Sequence, residues 1–230
     1  MVRFVKKRFL LLGIVCAILI TGCESTTYAT EVKQNDINTE VFKYQKYDLD
    51  NDEKIKLGNQ NAPNTITLVF DYSCSWCHKW MKEALPVIKE KYINTKIANY
   101  IGQPIVLLNQ TSFFLSKVDY SIEKNLPSNY YDIQLQFANE TDKEDWGTKQ
   151  YVQSVLNRYG LNDDVNELIK DNPDPITLTR KYTKNFDLEH VPTVYVNGIK
   201  IYNAFDLTEI DRVLSGDIKE GTEIKVPVIN

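Results

Sequence analysis

Two cysteines separated by two residues, Cys74-Ser75-Trp76-Cys77, stand where one periodicity gives way to another, and this junction fixes how the middle of the chain folds. Before them, residues 65–72 (Thr-Ile-Thr-Leu-Val-Phe-Asp-Tyr) are rich in β-branched, aliphatic and aromatic side chains, as a buried strand requires. The turn signal Asn61-Ala62-Pro63-Asn64 precedes that run. After them, Trp80, Met81, Ala84, Leu85, Val87, Ile88 and Tyr92 recur at near-helical spacing, with Lys79, Lys82, Glu83, Lys89 and Glu90 between. Pro86 falls inside this pattern, removes an amide donor and predicts a kink. Cys74 is therefore expected at the start of a kinked helix that follows a strand.

That position has chemical consequences. First-turn amides and the positive end of the helix dipole favour a thiolate over a thiol, which makes Cys74 both a nucleophile and a good leaving group. Cys77, one turn further in, is expected to be shielded and to reach back to close a mixed disulfide, so Cys74 attacks and Cys77 resolves. Two plainer readings stand beside this one: a permanent small-loop disulfide, or half of a zinc site. Zinc needs further ligands, and the only histidines are His78 and His190. His78 adjoins Cys77 and is badly placed to share its metal, so no metal and no cofactor is expected.

The N-terminal residues carry a targeting argument. Arg3, Lys6, Lys7 and Arg8 make a basic start, and the apolar run 9–20 that follows is shorter than the ~20 residues of a membrane span, as a signal peptide's is. Ile20-Thr21-Gly22-Cys23 resembles a bacterial lipobox, which predicts a leader over 1–22 and lipidation of Cys23. Cys16 would leave with the leader, so the remaining thiol chemistry falls to Cys74 and Cys77. The polar stretch to residue 38 lacks apolar periodicity and reads as a tether over 23–38. A formal charge of -4 with no basic face speaks against nucleic acid.

A second signal lies downstream. His190-Val191-Pro192-Thr193-Val194-Tyr195-Val196-Asn197-Gly198 joins a proline to a β-branched strand, and Asn-Gly before 199–202 predicts a hairpin. A short helical pattern follows over 207–214. Between the halves, 103–109 reads as a further core strand and 111–187 mainly as helices. Phe113, Phe114, Leu115 and Val118 recur helically; Pro127 opens a helix through Tyr130, Tyr131, Ile133, Leu135 and Phe137; Tyr151, Val152, Val155, Leu156 and Tyr159 mark a third. Leu161-Asn162-Asp163-Asp164 reads as a cap before 165–169, and Pro175 as the start of the last helix. The aromatics of this segment are expected to be core, with a minority lining a peptide groove.

A strand, a helix, a distant proline-led hairpin and a final helix form the skeleton of the thioredoxin fold. The chain resembles a DsbA-type thiol:disulfide oxidoreductase, of the kind found as extracytoplasmic lipoproteins in Gram-positive bacteria. Three stretches carry the resemblance: Leu57-Gly58-Asn59-Gln60-Asn61-Ala62-Pro63, Phe70-Asp71-Tyr72-Ser73-Cys74-Ser75-Trp76-Cys77 and Val191-Pro192-Thr193. It implies an α/β thioredoxin domain in two parts, 39–110 and 188–230, around a helical insertion over 111–187. It also implies a substrate-facing backbone at Val191 and a cis Pro192 opposite the cysteines. Implied partners are exported cysteine-containing proteins or peptides and a quinone-linked membrane redox partner, met at the outer face of the cytoplasmic membrane.

The departures from the family bear on mechanism. Oxidases of this type usually begin the intervening dipeptide with proline and often end it with histidine, where this chain has Ser75-Trp76. Ser75 is a candidate hydrogen-bond donor to the Cys74 thiolate, and Trp76 offers apolar surface to an unfolded client. Six residues before Cys74, where the family often carries a buried carboxylate, stands Leu68. Asp71 keeps a carboxylate nearby; His78 is expected to face solvent and His190 to approach the thiolates. The expected activity is disulfide formation in exported proteins. Reduction or isomerisation by the same fold, or client binding with the redox pair secondary, are the alternatives.

Overall fold

The computed structural model describes residues 39–49 and 53–227. The expected leader with Cys16, the lipidation site Cys23 and the tether 23–38 lie outside the described residues.

A four-stranded sheet organises the domain, in the order β3-β2-β4-β5, where β2 is Asn64–Phe70, β3 Ala98–Pro104, β4 Thr193–Val196 and β5 Ile199–Lys200. β2 is central, parallel to β3 and antiparallel to β4, and its residues from Ile66 to Phe70 are buried. That is why its sequence is continuously apolar or β-branched instead of alternating. Leu68 sits between Gly102 on β3 and Val194 on β4. The chain leaves β2 through a tight turn into helix α1, Ser75–Ile88. α1 runs on through Pro86 and changes to a π-helical turn at Lys89–Ile93, where the Lys89 amide is shared between the carbonyls of Leu85 and Pro86.

Between β3 and β4 lie the helices α2 (Gln110–Asn125), α3 (Tyr130–Asn139), α4 (Lys149–Arg158), α5 (Val165–Ile169) and α6 (Pro175–Asn185). The caps are those the sequence announces: Asp164 accepts from the Asn166 amide at 2.8 Å, and Asp174 caps α6 with Pro175 in its first turn. Pro127 opens a single 3₁₀ turn and α3 begins three residues later. Tyr130, Tyr131, Phe137 and Tyr151 are all buried in the main core with Trp80, Leu115 and Ile133.

The strand expected over 103–109 is corrected by the structure: β3 ends at Pro104, and the apolar run after it is a loop. The Ile105 amide still donates to the Phe70 carbonyl of β2 at 2.8 Å, but the amides after it are taken by side chains. Val106 N–H donates to Thr179 Oγ1 at 3.0 Å, and those of Leu107 and Leu108 donate to Asp71 Oδ2 at 2.7 and 3.1 Å. A pairing absent from the sequence reading joins β1, Thr39–Lys43, to β6, Glu223–Pro227, as a separate antiparallel ribbon. Helix α7, Leu207–Ser215, precedes it and ends on Gly216 in the left-handed conformation.

The β4–β5 hairpin turns on Asn197 and Gly198, both at positive φ (51° and 82°), as a type I′ turn demands. Asn197 also accepts the Thr65 amide through its side chain at 2.9 Å, locking the turn to the start of β2. A Cβ on Gly198 would come within 2.2 Å of the Tyr47 carbonyl oxygen. Gly198→Ala is therefore expected to cost about 2 kcal/mol or more, from left-handed strain plus a backbone clash, measured as a lowered denaturation midpoint in guanidinium.

Candidate active site

Cys74 is the N-cap of α1, in extended conformation (φ -84°, ψ 112°), and its sulfur accepts the Cys77 amide at 3.2 Å. Cys77, one turn on, is fully buried, whereas Cys74 keeps 7% of its surface. Both are free thiols. The two differ sharply in acidity. A hydrogen bond from the Cys77 thiol and the amides of Cys77 and Trp76 outweigh partial burial and bring the Cys74 thiol down to about 7. Burial, and then the hydrogen bond it gives to Cys74, push the Cys77 thiol far up. One sulfur is thus built to be a thiolate and the other to be a thiol.

The loop before β4 closes over this pair. The Val191–Pro192 peptide is cis, and the Val191 carbonyl lies 3.6 Å from Cys74 Sγ. Beside it opens a groove of about 460 Å³ lined by Trp76, His190, Val191, Pro192 and Phe205 among others. Trp76 is 59% exposed and meets Phe205 edge-on, with ring centroids 5.9 Å apart. Lys79 Nζ stands 5.1 Å from the Trp76 ring centre. From below, the Trp80 indole N–H donates to the Ala204 carbonyl at 2.8 Å, fixing α1 to the segment that forms the far wall.

With strand, N-capping cysteine, buried partner and cis-proline loop in place, the comparisons with known proteins are decisive. A family model described as Thioredoxin matches residues 50–215. The chain belongs to the thioredoxin family. It is 23% identical over 171 residues to Disulfide bond formation protein D of Bacillus subtilis (strain 168), covering 71% of this chain and 76% of that one. Its fold is similar to oxidised BdbD from Bacillus subtilis (TM-score 0.61, 19% identity, 76% of this chain and 98% of the other). It is also similar to α-DsbA1 of Wolbachia pipientis (0.60, 18%, 74% and 92%) and DsbA of Chlamydia trachomatis (0.58, 18%, 71% and 91%). The helices α2–α6 between β3 and β4 give this member of the thioredoxin family a fold similar to that of those structures. Family and redox pair together make the protein a thiol:disulfide oxidoreductase.

The remaining residues singled out in the sequence fall into different roles. Asp71 is completely buried, and its carboxylate accepts from the amides of Ser73 (2.7 Å), Leu107 and Leu108 and from the Ser112 hydroxyl (2.5 Å). It braces the active-site turn against the loop before α2. His78 is corrected: it does not face solvent but is 9% exposed, with Nε2 2.6 Å from the Tyr72 carbonyl oxygen, and burial holds its pKa below the usual value. Its place on the α1 face beside Cys77 and Met81 turns it inward. His190 is exposed and lines the groove. Ser75 is exposed, and among the described residues its hydroxyl makes no hydrogen bond to Cys74, whose donors are backbone amides and the Cys77 thiol. Leu68 is fully buried and apolar. Among the described residues no group of three or more His, Cys, Asp or Glu side chains gathers as a metal would need.

Sequence reasoning missed Asp119. It is buried on α2, accepts from Tyr72 (2.5 Å), Tyr130 (2.8 Å) and Gln134 (3.0 Å), and burial raises its carboxyl to about 6. The signal was present: Leu115, Val118, Asp119 and Ile122 share one helical face, so an acid interrupts an apolar stripe. Through Tyr72 it ties the helical segment to the turn before Cys74.

For the reduced protein, alkylation by iodoacetamide is expected to occur at Cys74 with a midpoint near pH 7 and to leave Cys77 unmodified there, read by peptide mass spectrometry. The sign of the linkage follows: a thiol pKa lowered on folding stabilises the reduced form at high pH. That contribution is lost as the pH falls through about 7, so the stability gap to Cys74→Ser narrows in acid.

Proposed function

We propose that the protein forms disulfides in exported proteins, working outside the cytoplasmic membrane as a lipid-anchored enzyme, with Cys74 as nucleophile and Cys77 as resolving thiol. The observation that carries this reading is the split in acidity between two sulfurs at the mouth of an apolar groove. A thiolate stabilised at Cys74 favours the reduced enzyme over its disulfide, and that bias is what makes such a pair give its disulfide away. A client thiolate attacks Cys74 of the oxidised pair, and the electrons of the broken bond go to Cys77. A second client thiolate then attacks the mixed disulfide, takes the new S–S bond and leaves Cys74 as thiolate.

In this reading Val191 offers its carbonyl to the client backbone, Pro192 keeps the loop against the sulfurs, and Trp76 gives apolar surface to an unfolded chain. The name of the Bacillus relative, a disulfide bond formation protein, supports the direction. The basic-apolar start and the lipobox-like Ile20-Thr21-Gly22-Cys23 support export and anchoring through Cys23. Reoxidation then falls to a quinone-linked membrane partner, beside which the anchor concentrates the enzyme. The domain plan is a thioredoxin domain, 39–110 and 188–230, around the helices of 111–187.

One observation favours a second reading. A Cys74 thiol at about 7 lies close to the roughly 7 of thioredoxin and well above the roughly 3.5 of DsbA, which suits reduction or isomerisation. The equilibrium reduction potential, titrated against glutathione, separates the two. A value near about -120 mV establishes the oxidase, and one near about -270 mV the reductase or isomerase. Cys77→Ala is expected to accumulate client mixed disulfides at Cys74, seen on non-reducing gels. Their absence under oxidising conditions would overturn the division of roles, and full biological activity of Cys74→Ala would leave client binding as the function.

A further inference from the structure

The Tyr100 hydroxyl has no hydrogen-bond partner, although the residue is 1% exposed and lies in the middle of β3. Nearby buried tyrosines are satisfied. Tyr72 and Tyr130 donate to Asp119, and Tyr131 donates to the carbonyls of Ile55 and Tyr100. A buried hydroxyl left unpaired costs free energy that phenylalanine in the same place would not, so this oxygen calls for a physical account.

Its surroundings supply one. The Tyr100 ring stacks on Trp80, centroids 6.2 Å apart and planes within 17°. Trp80 is one helical turn beyond Cys77 on the buried face of α1, so the stack lays the phenol along the face that bears the resolving sulfur. The space at the hydroxyl is kept open by Gly102. A Cβ there would come within 3.1 Å of Tyr100 Oη and 2.6 Å of Gln134 Oε1. Gly102 in turn pairs with Leu68, which brings no polar atom from β2. Burial holds the phenol well above its ordinary pKa, and negative charge on Tyr131 and Cys77 adds to the rise, so the hydroxyl keeps its proton.

Disulfide exchange, as assigned above, creates a demand at this spot. When a client thiolate bonds to Cys74, the Cys74–Cys77 bond breaks and its electron pair resides on Cys77, a sulfur with no exposed surface. Asp71, whose carboxylate is already engaged by four donors, offers that sulfur its backbone amide but adds negative charge nearby. We propose that the Tyr100 hydroxyl is the donor held in reserve for the Cys77 thiolate, turning onto it in the mixed-disulfide state. The hydroxyl lends a hydrogen bond and keeps its proton. The proton that finally neutralises Cys77 is the one released by the second client thiol as it attacks the client sulfur bonded to Cys74, which departs as thiolate, so no further reactant is consumed.

The proposal rests on the exchange reaction, and its test separates the two. Oxidised wild type and Tyr100→Phe are mixed with dithiothreitol, and the second-order rate of reduction is followed by tryptophan fluorescence, with melting temperature measured in parallel. Wild type that fails to react overturns the exchange reading itself. With reactive wild type, Tyr100→Phe is expected to react at least about tenfold more slowly while melting at the same temperature or higher, because only an unpaired oxygen is removed. Tyr131→Phe, which deletes a hydroxyl with two acceptors, is expected to show the reverse: a lower melting temperature at an unchanged rate. A Tyr100→Phe rate equal to wild type overturns the role of the hydroxyl. So does a slowing that comes with the same loss of melting temperature as Tyr131→Phe, since packing alone would explain it.

Discussion

Everything near the sulfurs depends on one buried carboxylate. Asp71 directly follows the central strand, has no exposed surface and is held by four donors from three separate places: the turn after β2, the loop after β3 and the first turn of α2. A buried charge persists only where its hydrogen bonds replace the water it has lost. The requirement works in reverse as well: the amides of Leu107 and Leu108 point at nothing else, so the loop cannot relax without stranding them. The turn into Cys74 is thereby fixed from beneath before the helix begins.

The same carboxylate opposes the chemistry it positions, since its negative charge raises both cysteine thiols. Cys74 nevertheless ends acidic because its stabilisers act at contact distance, a thiol and two amides at the sulfur, whereas Asp71 acts through space. Cys77 receives the opposite balance. Without exposed surface, it is dominated by burial, and proximity to a second anion adds to that. The asymmetry between two identical side chains three positions apart is therefore a matter of depth and orientation.

Much of this was legible in the residues. The run 65–72, the periodicity from Trp80 to Tyr92 and the Asn197-Gly198 turn are local signals, and each specifies its element without help from the rest of the chain. What escaped depends on contacts distant in sequence. The β1–β6 ribbon pairs residues separated by nearly the whole described chain, so nothing in Thr39–Lys43 alone announces a partner. Residues 106–108 have a strand's composition, yet their amides are claimed by Thr179 and Asp71. His78, expected to face solvent, lies next to exposed Lys79, but in a helix the neighbouring position is about 100° around the axis and so meets the core. Nothing in the sequence around Tyr100 marks it out, and only the packed structure reveals that its oxygen is alone.

The bond from the Trp80 indole to the Ala204 carbonyl joins the helix carrying the cysteines to the segment carrying Phe205, so the two sides of the groove form a single rigid jaw. Such a jaw has a fixed gape. It neither grips tighter around a preferred guest nor widens for a folded one, so shape adaptation is left to the guest. On the proposed function, a polypeptide still loose enough to lay an extended stretch along the cleft would fit it, and the same polypeptide would not once folding has drawn its cysteines inward. On that reading, selection for immature chains follows from stiffness in the enzyme and needs no recognition of sequence.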